Sequence, residues 1–279
     1  MLNLRKQTID YVIGTLGHAY ERTYGDLEPA YPNIIRWVGR LALENIANSD
    51  ALYHNLEHTV LVTAVGQSIM EGKHLCEGGV TPREWLHYTV ALLCHDIGYV
   101  RGVCRSDAGL TIVTGVDDAT VTLAAGATDA ALTPYHVDRS KLFVVERFGG
   151  EQIAEALDAA LIGGCIELTR YPAPDTPAYR DTSGFPGLTR AADFIGQLGD
   201  PDYLRKAPAL FHEFAEIGAN ARYGYTSPDD LRAMFPTFYW QAVSPFIQDA
   251  LRYLRQTHEG KAWIASLNSL LYASEKRSE

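Results

Sequence analysis

Apolar residues recur at helical spacing in nearly every long segment of this chain, which predicts an all-α fold. Ile9, Val12, Ile13 and Leu16 form one such stripe, Ile34, Ile35, Val38, Leu41 and Ile46 a second, and Leu86, Val90, Leu93 and Ile97 a third. Residues three and four apart share one helix face, so each stripe has to be covered by a neighbouring helix. At 279 residues and 47% hydrophobic, the chain is long enough to bury a large core. One multi-helix bundle is expected over residues 1–273, with a flexible tail at 274–279.

Helix breakers fall between the stripes. Gly25-Asp26, Pro29 and Pro32 separate the first two helices, and Gly78-Gly79 stops a later one. Thr81-Pro82-Arg83-Glu84 then reads as an N-cap with proline at the first helical position. Tyr171-Pro172-Ala173-Pro174-Asp175-Thr176-Pro177 forbids helix and opens a loop expected to run to about Gly187. Between Gly102 and Pro134 the chain turns rich in Gly, Thr, Asp and Ala, and its β-like strings are Leu110-Thr111-Ile112-Val113-Thr114 and Thr120-Val121-Thr122-Leu123. An irregular insertion over about 102–135, with room for a small hairpin, is the expectation there.

Charge narrows the function classes. The chain has 24 Lys plus Arg against 34 Asp plus Glu, a formal charge of -10, and so lacks the basic footprint of a nucleic-acid duplex or anionic-membrane binder. Cys76, Cys94, Cys104 and Cys165 are irregularly spaced without C-x-x-C, which argues against a disulfide framework and for free thiols in a reducing cytoplasm. Neither a leader-like apolar region at Met1 to Gln7 nor a membrane-length apolar run is evident, so a cytoplasmic location is expected. Oligomeric state is open.

Two short segments carry the chemistry: Tyr53-His54-Asn55-Leu56-Glu57-His58 and Cys94-His95-Asp96-Ile97-Gly98-Tyr99. Three imidazoles and a carboxylate among apolar residues are costly to bury unless something binds them, and a divalent cation does so. His54 and His58 are four apart, which on a helix would place both rings on one face. His95 and Asp96 end a helical run and can aim at one interior point. Imidazole nitrogens with a carboxylate oxygen suit zinc, iron or manganese, and carboxylate with water suits magnesium. A further ligand is expected downstream, and Asp193 is favoured because Ala192, Phe194 and Ile195 around it imply a mostly buried helix. Asp181, Asp200 and Asp202 compete from loop-like surroundings, and Asp193 could instead pair with Arg190.

The motif His54-Asn55-x-x-His58, then His95-Asp96, then a helix-borne Asp193 resembles the HD superfamily of metal-dependent phosphohydrolases, specifically its cyclic-nucleotide phosphodiesterase branch. The resemblance implies that His58, His95, Asp96 and Asp193 hold one metal ion, with Asp96 able to bridge to a second. It also implies that His54 is a general acid for the leaving oxygen rather than a ligand. In that chemistry an ion-activated water attacks phosphorus while the ion takes up developing charge. The chain departs from the family pattern at Tyr99, where many members carry a further histidine, and between Asp96 and Asp193 its one histidine is His136. That weakens the expectation of a second ion, although Glu167 could substitute for a missing imidazole.

Other positions have both a functional and an ordinary reading. His136 and Arg139 precede or enter a helix for which Asp138 is the expected cap, and could approach a phosphate or lie on a surface loop. Glu167 or Thr169 could orient water at a helix end, or serve as a local cap. Gln241, among Phe238, Tyr239 and Trp240, sits about where the resembled family keeps a purine-reading glutamine, or is simple packing. The combined expectation is an enzyme that hydrolyses a small-molecule phosphoester or nucleotide, a phosphodiester foremost. A nucleotide phosphomonoesterase, an HD-type iron oxygenase and a silent signalling domain are the alternatives.

Overall fold

The computed structural model describes residues 3–150 and 155–278, and they are mainly helical. Helix α1 (Leu4–Tyr24) starts at Asn3, whose side chain accepts a hydrogen bond from the Lys6 amide. Helix α2 (Tyr31–Ile46) contains Pro32 in its first turn, where a missing N–H costs nothing, so this proline begins a helix rather than separating two. Helix α3 (Leu56–Glu77) is capped by Asn55, which accepts from the Glu57 and His58 amides, and ends at Gly78 in the left-handed conformation. Helix α4 (Pro82–Cys94) opens with the expected proline and a reciprocal cap between Thr81 and Glu84.

The insertion holds a small antiparallel hairpin, β1 (Thr111–Val113) with β2 (Thr120–Thr122), pairing Ile112 with Val121. It covers a satellite cluster of Ile112, Leu123 and Leu132, separate from the main core. Arg101, hydrogen-bonded to both Asp50 and Asp129, ties it down. Helix α5 (His136–Phe148) follows, and Asp138 lies inside its first turn rather than at the cap, which is Tyr135.

The remaining helices are α6 (Ala159–Glu167), α7 (Phe185–Leu198), α8 (Tyr203–Glu216), α9 (Ala219–Tyr223), α10 (Pro228–Phe238), α11 (Ser244–Leu254) and α12 (His258–Ser278). Helix α12 continues through the segment expected to be a tail, with Ser274 buried within it; residue 279 lies outside the described residues. Cys76, Cys94, Cys104 and Cys165 are all free. No helix of the described residues is long and apolar enough to cross a membrane.

Helix α3 runs through the middle of the bundle, packed on α4, α7 and α11. At its crossing with α7 a Cβ on Gly196 would stand 2.8 Å from the Val62 backbone, so only glycine permits the approach that brings the two helices together. At the end of α4 the chain turns through a short 3-10 segment, Ile97–Tyr99, against the start of α5. There a Cβ on Gly98 would stand 2.0 Å from the His136 carbonyl oxygen. The two close approaches bring α3, α4, α5 and α7 to a common point.

Candidate metal centre

At that point the side chains of His58, His95, Asp96 and Asp193 converge. His58 Nε2 lies 3.2 Å from Asp96 Oδ2 and 3.3 Å from Asp193 Oδ1. His95 Nε2 lies 3.3 Å from Asp96 Oδ2 and 3.8 Å from Asp193 Oδ1. The four come from the first turn of α3, the end of α4 and the middle of α7, so the shell is assembled from three packed helices. Asp193 does not pair with Arg190, whose guanidinium instead donates to the Tyr179 and Asp181 carbonyls. Asp181, Asp200 and Asp202 are also committed elsewhere, to loop amides or to lysine and arginine partners.

Ring orientation is set from behind. His95 Nδ1 donates to the Leu92 carbonyl at 2.8 Å, which leaves Nε2 as the lone-pair nitrogen facing the centre. His95 Nε2 and Asp96 Oδ2 are buried without a hydrogen-bond partner. Two such atoms, 3.3 Å apart, belong to a cluster that could hold a metal ion. Burial would raise the Asp96 pKa, but the adjoining His95 and His58 hold its carboxyl well below the usual range. Burial opposes a proton on His58, yet Asp193 and Asp96 outweigh it and push its pKa up to about 10. Two imidazoles and two carboxylates at these separations suit a first-row divalent ion by donor type and geometry.

His54 stands apart from the helix on which its spacing to His58 placed it. It precedes the α3 cap, in an irregular turn, although its ring still comes to 5.4 Å from that of His58. One of its ring nitrogens remains within 4.8 Å of ligand atoms of His58 and Asp96. Its Nδ1 donates to Glu213 Oε2 at 2.6 Å, and the Tyr53 and His54 amides donate to Glu213 Oε1 at 2.6 and 3.2 Å. Burial pushes the Glu213 pKa up, but His54 and these amides more than reverse it, keeping the carboxyl below its ordinary range. Sequence reasoning missed Glu213, yet a signal was present. It falls on the buried stripe of Tyr203, Ala207 and Leu210 along α8, a carboxylate on an apolar face like Asp193.

Tyr99 is sandwiched between two imidazoles, its ring stacked on His54 at 4.6 Å and on His136 at 4.5 Å between centroids. His136 Nδ1 donates to the Thr133 carbonyl at 2.6 Å, and its Nε2 lies 3.8 Å from Asp96 Oδ1, the carboxylate oxygen turned away from His58. Burial lowers the pKa of His136, favouring the neutral ring. His136 therefore belongs to the centre and not to a surface loop.

Beside these groups opens a cavity of about 180 Å³, lined on its polar side by His54, Asp96, His136, Asp193, Thr133 and Thr169. The opposite wall is aromatic, including Tyr171, Phe194, Tyr203, Tyr225, Phe235 and Phe238. Sequence reading did not anticipate this wall, because its members scatter over the loop before α7 and over α7 to α10 with no local motif.

Two expected substrate contacts do not reach the cavity. Arg139 is fully buried, paired with Asp107 through two nitrogen–oxygen contacts of 2.9 Å and donating to the Gly98, Val100 and Val113 carbonyls. All its donor directions are spent on tying the turn at Gly98 and Val100 to Asp107 and β1. Gln241 is exposed, in a wide helical turn (Tyr239–Val243) after α10, and its neighbour Phe238 is the residue that lines the cavity. Glu167 likewise sits outside, bound to Lys141, Arg170 and Tyr179.

No curated protein matches the chain. A family model described as Npun_R2479-like matches residues 2–277, nearly its whole length. The protein is a member of the Npun_R2479-like family.

Proposed function

We propose that this protein is a metal-dependent hydrolase of phosphoesters. One observation carries the reading: His95 Nε2 and Asp96 Oδ2, buried and unpartnered, face His58 and Asp193 at the floor of a cavity that His54 also lines. In this account His58, His95, Asp96 and Asp193 hold the ion. A divalent ion there supplies Lewis acidity, stabilising charge on phosphoryl oxygens and acidifying water at neutral pH.

The chain's own groups supply the rest. Glu213 holds His54 by Nδ1 and so fixes its other nitrogen toward the cavity, where a proton can pass to the leaving oxygen. Tyr99 packs flat against the same ring and restrains its tilt. The aromatic wall shields the reacting groups from bulk water and strengthens the electrostatic interactions among them.

Turnover of bis-p-nitrophenyl phosphate against p-nitrophenyl phosphate separates diesterase from monoesterase. Both activities should vanish in His95→Ala and Asp96→Ala. No turnover of either ester across Mn, Mg, Fe, Co and Zn would remove the hydrolytic reading.

A second reading, an iron oxygenase of the same general architecture, is favoured by one observation, the placement of His136 against Asp96 Oδ1. It requires two irons per chain and oxygen uptake coupled to substrate loss. Anaerobic retention of activity excludes it.

A further inference from the structure

We propose that the cavity accepts an ester with a single phosphate group and an apolar, ring-bearing body, and disfavours polyphosphates and polar bases. This rests on the phosphohydrolase reading and narrows its substrate class.

Charge carries the first half. Among the described residues lining the cavity there is no lysine or arginine. Several cations on the surrounding elements are engaged elsewhere: Arg139 with Asp107, Arg170 and Lys141 with Glu167 and Asp138, and Lys206 with Asp200 and Glu57. Asp96 and Asp193 already balance a divalent ion. One phosphate can be met by that ion with His54 and His136, whereas each added phosphate would bring charge into an aromatic pocket with nothing to pair it.

Shape and wall chemistry carry the second half. An apolar cavity of roughly 150 Å³ holds a benzene ring. The 180 Å³ here fits one ring beside the polar floor, and a larger body extends past the exposed edge at Tyr223 and Met234. Phe194, Phe235 and Phe238 face that space, with Tyr223 and Met234 exposed at its edge. Gln197 is the one side-chain amide among the described lining residues, and the groups around it are chiefly aromatic.

Calorimetric titration of the manganese-loaded protein with 1-naphthylmethylphosphonate, methylphosphonate and adenosine 5′-monophosphate tests this without requiring turnover. The naphthyl ligand should bind about 100-fold tighter than methylphosphonate, through burial of its rings, and about 10-fold tighter than the nucleotide. Phe238→Ala should erase about 10-fold of that advantage and leave methylphosphonate unchanged. If Phe238→Ala does not fold, Met234→Asp at the exposed edge should weaken the naphthyl ligand in the same direction. Equal affinities for the two phosphonates, no binding of either, or tighter binding of the nucleotide would overturn the inference. A naphthyl preference with no hydrolysis of either 1-naphthyl phosphate or methyl 1-naphthyl phosphate upholds the ligand class and rejects the hydrolase reading instead.

Discussion

At the scale of single residues, the environment of each imidazole sets its task. His95 is held from behind by a carbonyl and presents a bare nitrogen, His58 lies between two carboxylates, and His54 is held by Glu213. Glu213→Gln should lower kcat on a phosphoester by roughly 100-fold with little change in KM, read by steady-state kinetics, because it removes the anchor of a proton donor and no ligand. Metal uptake should release protons, since a ligating imidazole must be neutral and His58 otherwise retains its proton up to about 10. Apparent metal affinity, measured by competition with a chromophoric chelator, should therefore rise between pH 6 and 8, by at most about 10-fold per unit for each proton displaced. Glu213 shows why this layer was only partly legible in sequence. His54, His58, His95 and Asp96 advertise themselves through two motifs, whereas Glu213 has only its place on the apolar stripe of α8, whose meaning appears once Tyr53 and His54 fold over it.

At the scale of elements, the turn between α4 and α5 positions Asp96, Tyr99 and His136 together. Arg139 and Ser140 staple it: Arg139 Nε donates to the Gly98 carbonyl at 2.6 Å, and Ser140 Oγ donates to the His95 carbonyl at 2.7 Å. Arg139→Ala should cost about 3–5 kcal/mol in a urea titration, because it strands the buried Asp107 carboxylate. A second ionic junction joins α5 and α6 to the following loop, where Glu167 meets Lys141, Arg170 and Tyr179. Burial works against ionisation of Glu167, but hydrogen bonds from Arg170, Lys141 and Tyr179 prevail and depress its pKa from 4.5 to about 2. A depressed carboxylate stabilises the fold in full above its ordinary 4.5 and loses that contribution as pH falls toward about 2. Glu167→Gln should thus be less stable than the parent by about 1–3 kcal/mol at pH 7, and the difference should shrink steadily below pH 4.5 in acid-denaturation curves. Helix caps such as Thr81 with Glu84 were readable because capping is local. Arg139 was misread because its partners, Asp107 and three carbonyls, lie 26 to 41 residues away in sequence.

For the whole molecule, the bundle and its small hairpin follow from patterning that is visible along the chain, since helical stripes and the strings around Ile112 and Val121 are local signals. The aromatic wall is a long-range product, assembled from α7 to α10 and the loop before them around a core centred on α3. Binding at a centre that joins α3, α4 and α7 should also stabilise the fold, so a chelator such as EDTA should lower Tm and restored metal should raise it in a concentration-dependent way. The most direct measurement is the metal content, by plasma mass spectrometry, of protein purified without chelator, beside His58→Ala, His95→Ala and Asp193→Ala variants shown by circular dichroism to be folded. A hydrolase centre of the proposed make-up predicts about one ion or more per chain in the parent and loss of most of it in each variant. A metal-free parent that also takes up no Mn, Fe, Co or Zn on titration, or folded variants that retain the parent's full metal content, would contradict it.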